Sequence, residues 1–269
     1  MTRESDILNL VAHKLRPIDD VAFRVMAEDR EFLEELLQVI LDEPTLSVVE
    51  HYVQKDLANL AGRSLRIDTL CKTSDNRYVN IEVQKEDNDD HQRRVRYHAA
   101  LVTANNTPPG EKFKDIPDVC IIYISEFDLF KAGRALYQIE RVVKQTGDVI
   151  DNGLTELYVF AKSKDGSRIA KIMEVLATTN VYNEGFPKTS TRKRSIFQSE
   201  KGKMSMCKEL QDLINKEKAE LNGKISLLEG KNSALENKNS MLESNVAELK
   251  NTIEAMKQTI AMLESKLAN

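Results

Sequence analysis

The stretch that decides the fold runs from residue 65 to residue 85 and reads LRIDTLCKTSDNRYVNIEVQK. Two runs rich in β-forming residues flank a Ser-Asp-Asn segment centred on Asp75, and Asn and Asp favour tight turns. We therefore predict a β-hairpin. If it pivots on Asp75, Asp68 lies directly opposite Glu82, because each is seven positions from the pivot.

The two faces of this hairpin differ in character, because strand side chains alternate between faces. One face carries the polar residues Asp68, Asn80, Glu82 and Gln84, and the other carries the apolar residues Leu65, Ile67, Val79, Ile81 and Val83. Two facing carboxylates repel unless a positive group lies between them. A hard divalent cation such as Mg²⁺ meets this need, since it binds a few carboxylates plus water. The alternative is an exposed, salt-bridged face with Arg66 or Lys72 as counter-charge.

Composition indicates a soluble protein with one medium domain and an appendage. The chain has 269 residues, of which 30% are charged and 6% aromatic, and its mean hydropathy is -0.44. With a net charge of -4, any contact with nucleic acid must come from local basic patches. No apolar run is long enough to span a membrane, and the N-terminus does not form a signal peptide. Cys71, Cys120 and Cys207 lack metal-ligand spacing, and two of them lie in apolar strand contexts. We therefore interpret them as small buried hydrophobic residues and expect a protein of the reducing cytoplasm.

Apolar spacing predicts further helices and strands on either side of the hairpin. Helices are predicted after Asp19 or Asp20, over 29–42, over about 90–105 and over 167–178. Strands are predicted over 119–124 and 157–160, with a strand pair around 135–143, whereas 48–63 is a polar stretch with a turn at Gly62. This order suggests a mixed α/β sheet flanked by helices.

Two basic segments each have two interpretations. The helix after the acidic run at 86–90 carries Arg93 and Arg94, which either face a phosphate backbone or pair with the acidic run. A second basic stretch lies between Lys188 and Lys203. It is either a DNA-contacting segment or a solvated connection.

Residues 221–267 contain the clearest periodicity in the chain. Apolar residues recur every seven positions at Leu221, Leu228, Leu235, Leu242, Leu249, Met256 and Leu263. Four positions after each lie Ile225, Asn232, Asn239, Val246, Ile253, Ile260 and Leu267. Leu at the heptad position d with Ile, Val and Asn at a is the pattern of parallel two-stranded coiled coils.

The charges beside this seam favour a parallel homodimer. Lys occupies three successive g positions and Glu three successive e positions: Lys224, Lys231, Lys238, Glu229, Glu236 and Glu243. In a parallel pair each such Lys meets a Glu of the partner, whereas an antiparallel pair brings like charges together. We predict a rod of about 70 Å. The alternative is a lone amphipathic helix that folds back on the domain.

Several short motifs resemble the PD-(D/E)XK nuclease family transposases, also called Rpn-type recombination-promoting nucleases. They are Arg66-Ile-Asp68, Asn80-Ile-Glu82-Val-Gln84, the run Arg93-Arg94-Val-Arg96-Tyr97-His98, the strand Val119–Ile124 with the residues after it, and Asp20 with Phe23-Arg24. The resemblance covers roughly residues 17–210. It implies a restriction-endonuclease-like fold and metal-dependent hydrolysis of DNA phosphodiester bonds.

The resemblance also implies roles for individual residues. Asp68 and Glu82 would bind Mg²⁺, or Mn²⁺ in its place, with the Val83 carbonyl as a further ligand. Asp20 would be an accessory acid, and Gln84 stands where the wider superfamily has Lys. Gln cannot act as a general base, although it can orient a water. Arg66, Arg93 and Arg94 would contact DNA and neutralise charge in the transition state.

We therefore predict a nuclease-like domain over 1–182, a basic linker and connecting helix over 183–220, and a parallel dimeric coiled coil over 221–269. The expected function is a Mg²⁺-dependent DNA endonuclease linked to mobile elements or recombination. One alternative is a catalytically inactive DNA-binding adaptor that recruits partners through its coiled coil. A purely structural coiled-coil protein is a third possibility, but it would not need the Asp68, Glu82 and Gln84 set.

Overall fold

The computed structural model describes residues 3–12, 14–59, 64–88 and 90–267. The chain divides into two compact units, the first extending to Gln211 and the second beginning at Asp212. Within the described residues, the helices are α1 (Arg3–Ala12), α2 (Asp20–Ala27), α3 (Arg30–Leu41), α4 (His91–Asn105), α5 (Arg168–Ala177), α6 (Pro187–Phe197) and α7 (Glu200–Leu267). The strands are β1 (Val48–Leu57), β2 (Leu65–Thr73), β3 (Tyr78–Gln84), β4 (Val119–Ser125), β5 (Leu136–Ile139), β6 (Arg141–Val142), β7 (Val149–Ile150) and β8 (Leu154–Phe160).

A six-stranded mixed sheet forms the centre of the first unit. Its strand order is β1-β2-β3-β4-β8-β5, and β6 pairs separately with β7. The pairs β3–β4 and β4–β8 are parallel, and the other neighbours are antiparallel. Helices precede and follow the strands along the chain and pack against the sheet in the structure, so the predicted mixed α/β architecture is confirmed.

The hairpin of β2 and β3 has the predicted register. The paired residues Thr69 and Ile81 are equidistant from Asp75, as are Cys71 and Val79. Asn76 adopts the left-handed conformation with φ 70°, which Asn tolerates better than most residues. The turn therefore fixes which side chains of the two strands face each other.

Both faces of the sheet are buried, which explains the continuous apolar run in β4. On one face, Val95 and Val102 of α4 pack with Ile121, Tyr123 and other core residues. On the other, alternate residues such as Val79 and Ile122 are also buried, and α2 and α3 contact β1 and β2. Every residue of β4 is buried, as predicted for a strand covered on both sides.

Within the stretch 48–63, which the sequence analysis describes only as polar, residues 48–57 form a strand that was not predicted. They form β1, at the edge of the sheet, where only the two end residues Val48 and Leu57 are buried. An edge strand is held largely by backbone hydrogen bonds to one neighbour, and these leave no apolar pattern in the sequence. The predicted turn at Gly62 lies outside the described residues.

The basic stretch after residue 183 is largely folded against the first unit. Helix α6 contacts α2 and α3, and its N-terminus is capped by Glu35, which accepts hydrogen bonds from the backbone of Lys188 and Thr189. The Arg192 guanidinium donates to the Met26 carbonyl at 3.4 Å, and Lys193 is 0% exposed. Both interpretations of the basic stretch, DNA contact and a solvated connection, are wrong for Arg192 and Lys193, because both side chains donate hydrogen bonds to backbone carbonyls of the first unit.

In the second unit, α7 continues as one helix to Leu267. The predicted seam residues are exposed along it, from Leu221 to Leu263. Pairing of this helix with a second copy, and the parallel direction of that pairing, remain predictions. None of the described helices combines the length and the apolar character that are needed to cross a bilayer.

Candidate active site

Asp68 and Glu82 meet where the β2–β3 ladder ends. The Asp68 backbone N–H donates to Glu82 Oε1 at 3.2 Å, and the Val83 N–H donates to Asp68 Oδ2 at 3.1 Å. Side-chain carboxylates therefore take hydrogen bonds from the backbone of the opposite strand. The hairpin geometry brings together the two acids that the sequence analysis selects.

The Asp68 carboxylate lies in surroundings that disfavour its charge. Burial raises the pKa of Asp68 well above its ordinary value, and the charges of Glu82 and Asp20 raise it further. The Val83 N–H and Arg24 lower it by less. The protein groups near Asp68 thus leave negative charge that is not compensated, which is the electrostatic condition that favours a bound cation.

A cleft of about 480 Å³ contains these two acids. It is lined by Ile18, Asp20, Arg24, Ser64, Leu65, Arg66, Asp68, Glu82, Val83, Gln84, Lys85, Glu86, Arg94 and His98. Of the eight residues predicted for the site, seven line this cleft. Arg93 does not line it and is exposed on α4, one position before Arg94.

Asp20 lies at the rim of the cleft, and its carboxylate is paired with an arginine. Its side chain is 48% exposed and pairs with Arg24 Nη2 at 2.6 Å, one helical turn along α2. Arg24 also reaches Glu209 of α7 at 3.5 Å. Arg24 therefore connects Asp20 to the first turns of the last helix.

The side chains of Gln84 and Lys85 both interact with other groups of the protein. The Gln84 side chain donates to the Glu86 carbonyl at 3.0 Å. Lys85 Nζ pairs with Asp19 at 2.5 Å. Burial alone would raise the pKa of Asp19, but hydrogen bonds from Lys85 and Arg16 outweigh it and hold that pKa below its ordinary value. Lys85 is thus an ion-pair partner and not a substitute for the Lys absent at position 84.

Of the three arginines that line the cleft, Arg66 and Arg94 make weak ion pairs at its edge. Arg94 Nη2 lies 3.3 Å from Asp90, one turn earlier on α4, and Arg66 Nε lies 3.8 Å from Asp56 on the neighbouring strand. Exposed pairs of this kind contribute little to stability. Both guanidinium groups can therefore exchange these partners for a phosphate at small cost.

Sequence reasoning did not assign a role to His98, which contacts Glu82. Its Nδ1 lies 3.1 Å from Glu82 Oε1, and Asn80 Nδ2 lies 3.1 Å from the same oxygen. The signal that could have found it is helical spacing. Arg94 and His98 are four residues apart on α4 and hence on one face of that helix, and Arg94 was already a candidate.

The residues present fit a hard divalent cation with a small protein ligand set. In the described part of the chain, no group of three or more His, Cys, Asp or Glu side chains is arranged to hold a metal ion. Mg²⁺, however, keeps several waters and commonly uses one or two carboxylates. Asp68 and Glu82 supply that number, and the raised pKa of Asp68 reflects a charge that such a cation would stabilise.

Comparison with known proteins identifies the family of the chain. A search of curated proteins and a search of solved structures found no match for the chain. The model of the PD-(D/E)XK nuclease family transposases matches residues 17–170, a span that includes both carboxylates, Gln84 and α4. This span is more than half of the chain. With the mixed sheet, the carboxylate hairpin and this match, the chain belongs to the PD-(D/E)XK nuclease family transposases.

Proposed function

We propose that this protein is a metal-dependent DNA endonuclease of the cytoplasm, linked to a mobile element or to recombination. Membership in the family indicates a nuclease connected with mobile elements. The observation that carries the specific proposal is the Asp68–Glu82 pair in an open cleft, with the pKa of Asp68 raised by burial and by neighbouring acids. Two neighbouring carboxylates in a cleft that arginines also line suit a cation together with a phosphodiester.

The predicted site residues each have a chemical task in this proposal. Asp68 and Glu82 would hold Mg²⁺ or Mn²⁺, with the Val83 carbonyl as a further ligand. When bound there, such a cation would supply polarisation of a phosphoryl oxygen and a lowered pKa of a water. Gln84 orients a water or a phosphate oxygen by hydrogen bonding, since a neutral amide does not take up a proton. Asp20 is the accessory acid on α2.

The basic residues near the acids would bind DNA. Arg66 and Arg94 line the cleft and stabilise the negative charge that develops on the phosphoryl oxygens. Arg93, outside the cleft, would contact the backbone of the duplex further along. Phosphate contacts of this kind position DNA without reading its sequence.

Plasmid cleavage tests the proposal. The wild-type protein is expected to convert supercoiled plasmid to nicked or linear DNA with Mg²⁺ or Mn²⁺ and to lose this activity in EDTA. Asp68→Ala and Glu82→Ala are each expected to remove it, because the cation loses a carboxylate. Equal cleavage by all three proteins would refute the site. No cleavage by any of them, with DNA binding retained, would favour the alternative of an inactive DNA-binding adaptor.

We further propose that α7 forms a parallel two-stranded coiled coil with a second copy of the chain. The support is an apolar seam exposed over its whole length, flanked by Lys at g and Glu at e positions that match only in a parallel pair. Asn232 and Asn239 at a positions would fix the register. The dimer gives each molecule two cleavage sites, which suits cutting both strands of a duplex.

Adjacent residues in α7 provide a matched test of this dimer. Leu228 lies on the seam and Leu227 lies outside it, although the two are 59% and 61% exposed in the isolated helix. The same relation holds for Leu242 and Met241. We expect Leu228→Glu with Leu242→Glu to give a monomer at micromolar concentration in sedimentation equilibrium, because two charges would enter the seam.

The control, Leu227→Glu with Met241→Glu, is expected to sediment as a dimer like the wild type. In plasmid assays the monomeric variant should accumulate nicked circles, whereas the dimer should also produce linear DNA. A wild-type protein that sediments as a monomer at micromolar concentration would contradict the coiled-coil proposal while leaving the nuclease site unaffected.

A further inference from the structure

His98 is a buried histidine with one ring nitrogen on Glu82 and the other without a partner. The side chain is 2% exposed. Nδ1 lies 3.1 Å from Glu82 Oε1 and 3.3 Å from Asn80 Nδ2. Nε2 is buried and has no hydrogen-bond partner among the described residues. A buried ring held at one nitrogen only needs an explanation, since buried polar atoms are normally paired.

The position of this ring is determined by the core and not by the cleft. Val95, Ala99 and Val102 of α4 are buried against the sheet, and this fixes the rotation of the helix. His98 then projects onto the sheet face that carries Asn80 and Glu82. The ring has little freedom to move away from Glu82.

The surrounding donors decide where the ring proton lies. A carboxylate only accepts hydrogen bonds, so a lone pair on Nδ1 at 3.1 Å from Glu82 Oε1 would be repulsive. We assign the proton to Nδ1, which then donates to Glu82. Asn80 could accept a hydrogen bond from Nδ1 only if its amide were flipped, and the amide oxygen would then face the Glu82 carboxylate, which is also only an acceptor.

With this assignment, three donors converge on one oxygen of Glu82. They are the Asp68 backbone N–H at 3.2 Å, the Asn80 amide at 3.1 Å and His98 Nδ1 at 3.1 Å. All three reach Oε1. The carboxylate is therefore held in one rotation, and Oε2 is the oxygen left for a cation.

We propose that His98 is a positioning residue that orients Glu82 for the divalent cation. This inference rests on the proposed function, because it requires Glu82 to be a ligand. Groups that hydrogen-bond to a metal ligand orient it and typically change metal affinity by about 10–100-fold when removed. In this role His98 acts through Glu82.

Substitutions that place a hydrogen-bond donor at the position of only one of the two ring nitrogens test this role. The Asn side chain places a donor where Nδ1 lies, and the longer Gln side chain places one where Nε2 lies. Isothermal titration of Mn²⁺ into the metal-free full-length protein, without DNA, measures the affinity directly. We expect His98→Leu and His98→Gln to weaken Mn²⁺ binding by about 10–100-fold. His98→Asn should stay within about threefold of the wild type.

Thermal melting of the same proteins separates positioning from folding. If His98→Leu does not fold, the comparison of Asn with Gln decides, because both keep a polar group in the cavity. Rescue by Gln but not by Asn, or wild-type affinity in folded His98→Leu, would overturn the inference and leave the nuclease proposal standing. Absence of Mn²⁺ binding by the wild-type protein would overturn both.

Discussion

Replacing Asp68 by Asn is expected to lower metal-dependent DNA cleavage by about 10³-fold and, at the same time, to raise the melting temperature of the metal-free protein. The first effect follows from the loss of a charged ligand, since charge stabilisation by a bound metal is worth several kcal/mol. The second follows from the surroundings of Asp68. Burial and the neighbouring acids Glu82 and Asp20 make its negative charge unfavourable in the folded state.

The pH dependence of stability has a definite sign. The pKa of Asp68 is raised in the folded chain from an ordinary value of 3.8, so the folded state binds this proton more tightly than the unfolded state. Its contribution to stability is complete below pH 3.8 and is lost as the pH rises through the raised folded value. In EDTA at neutral pH, the wild type should therefore have a lower melting temperature than Asp68→Asn. The difference should be about 2–4 °C for each kcal/mol by which the charged carboxylate destabilises the fold.

Two comparisons make this prediction specific. Adding Mg²⁺ should raise the melting temperature of the wild type but not that of Asp68→Asn, because only the wild type has the complete ligand set. Asp148→Asn, at an exposed position of the β6–β7 turn, should change neither activity nor stability. A melting temperature for metal-free Asp68→Asn below that of the wild type would show that the carboxylate stabilises the fold.

The second large effect is expected at Lys193, far from the cleft. Its side chain is 0% exposed, and Nζ donates to the carbonyls of Val175 at 2.8 Å, Thr178 at 2.7 Å and Val181 at 2.7 Å. These are acceptors at the end of α5 and in the segment after it, where helix carbonyls lack partners. Burial lowers the pKa of Lys193 to about 8, so the ammonium form still predominates at pH 7.

Lys193→Met keeps the volume of the side chain and removes all three hydrogen bonds. Hydrogen bonds from charged donors contribute about 1.5–3 kcal/mol each, and the methionine recovers part of this by apolar packing. We expect a loss of about 3 kcal/mol, or a fall of about 6–12 °C in melting temperature. Lys188→Met in the same helix is the control, since Lys188 is partly exposed and makes only a 3.8 Å pair with Glu34. Equal effects of the two substitutions would contradict the capping role.

Sequence reasoning succeeded where a short-range rule determines long-range placement. The turn at Asp75 fixed the register of β2 and β3, and the register alone brought Asp68 opposite Glu82. The apolar run of β4 identified a strand covered on both faces. Helix α3 followed from its apolar spacing, and in the structure the Asp29 side chain caps it by accepting hydrogen bonds from the backbone of Glu31 and Phe32.

It failed where backbone groups or distant side chains decide the outcome. Strand β1 lies at the edge of the sheet and buries only its two end residues, so its other side chains can be polar. The sequence therefore shows no apolar pattern that would predict a strand there. Lys193 belongs to a basic run, and nothing in that run shows that three carbonyls converge on its ammonium. His98 was passed over because one histidine in a helix is ambiguous until the sheet beneath the helix is known.

The contact between Arg24 and Glu209 bears on where this protein can be divided. The family match ends at residue 170, yet the first compact unit continues to Gln211 and buries Ile196, Met206 and Leu210. A fragment cut at the end of the match would uncover one side of α3 and release the arginine that pairs with Asp20. The span that matches the family is thus shorter than the compact unit, and expression of the first unit alone should retain the chain through residue 211.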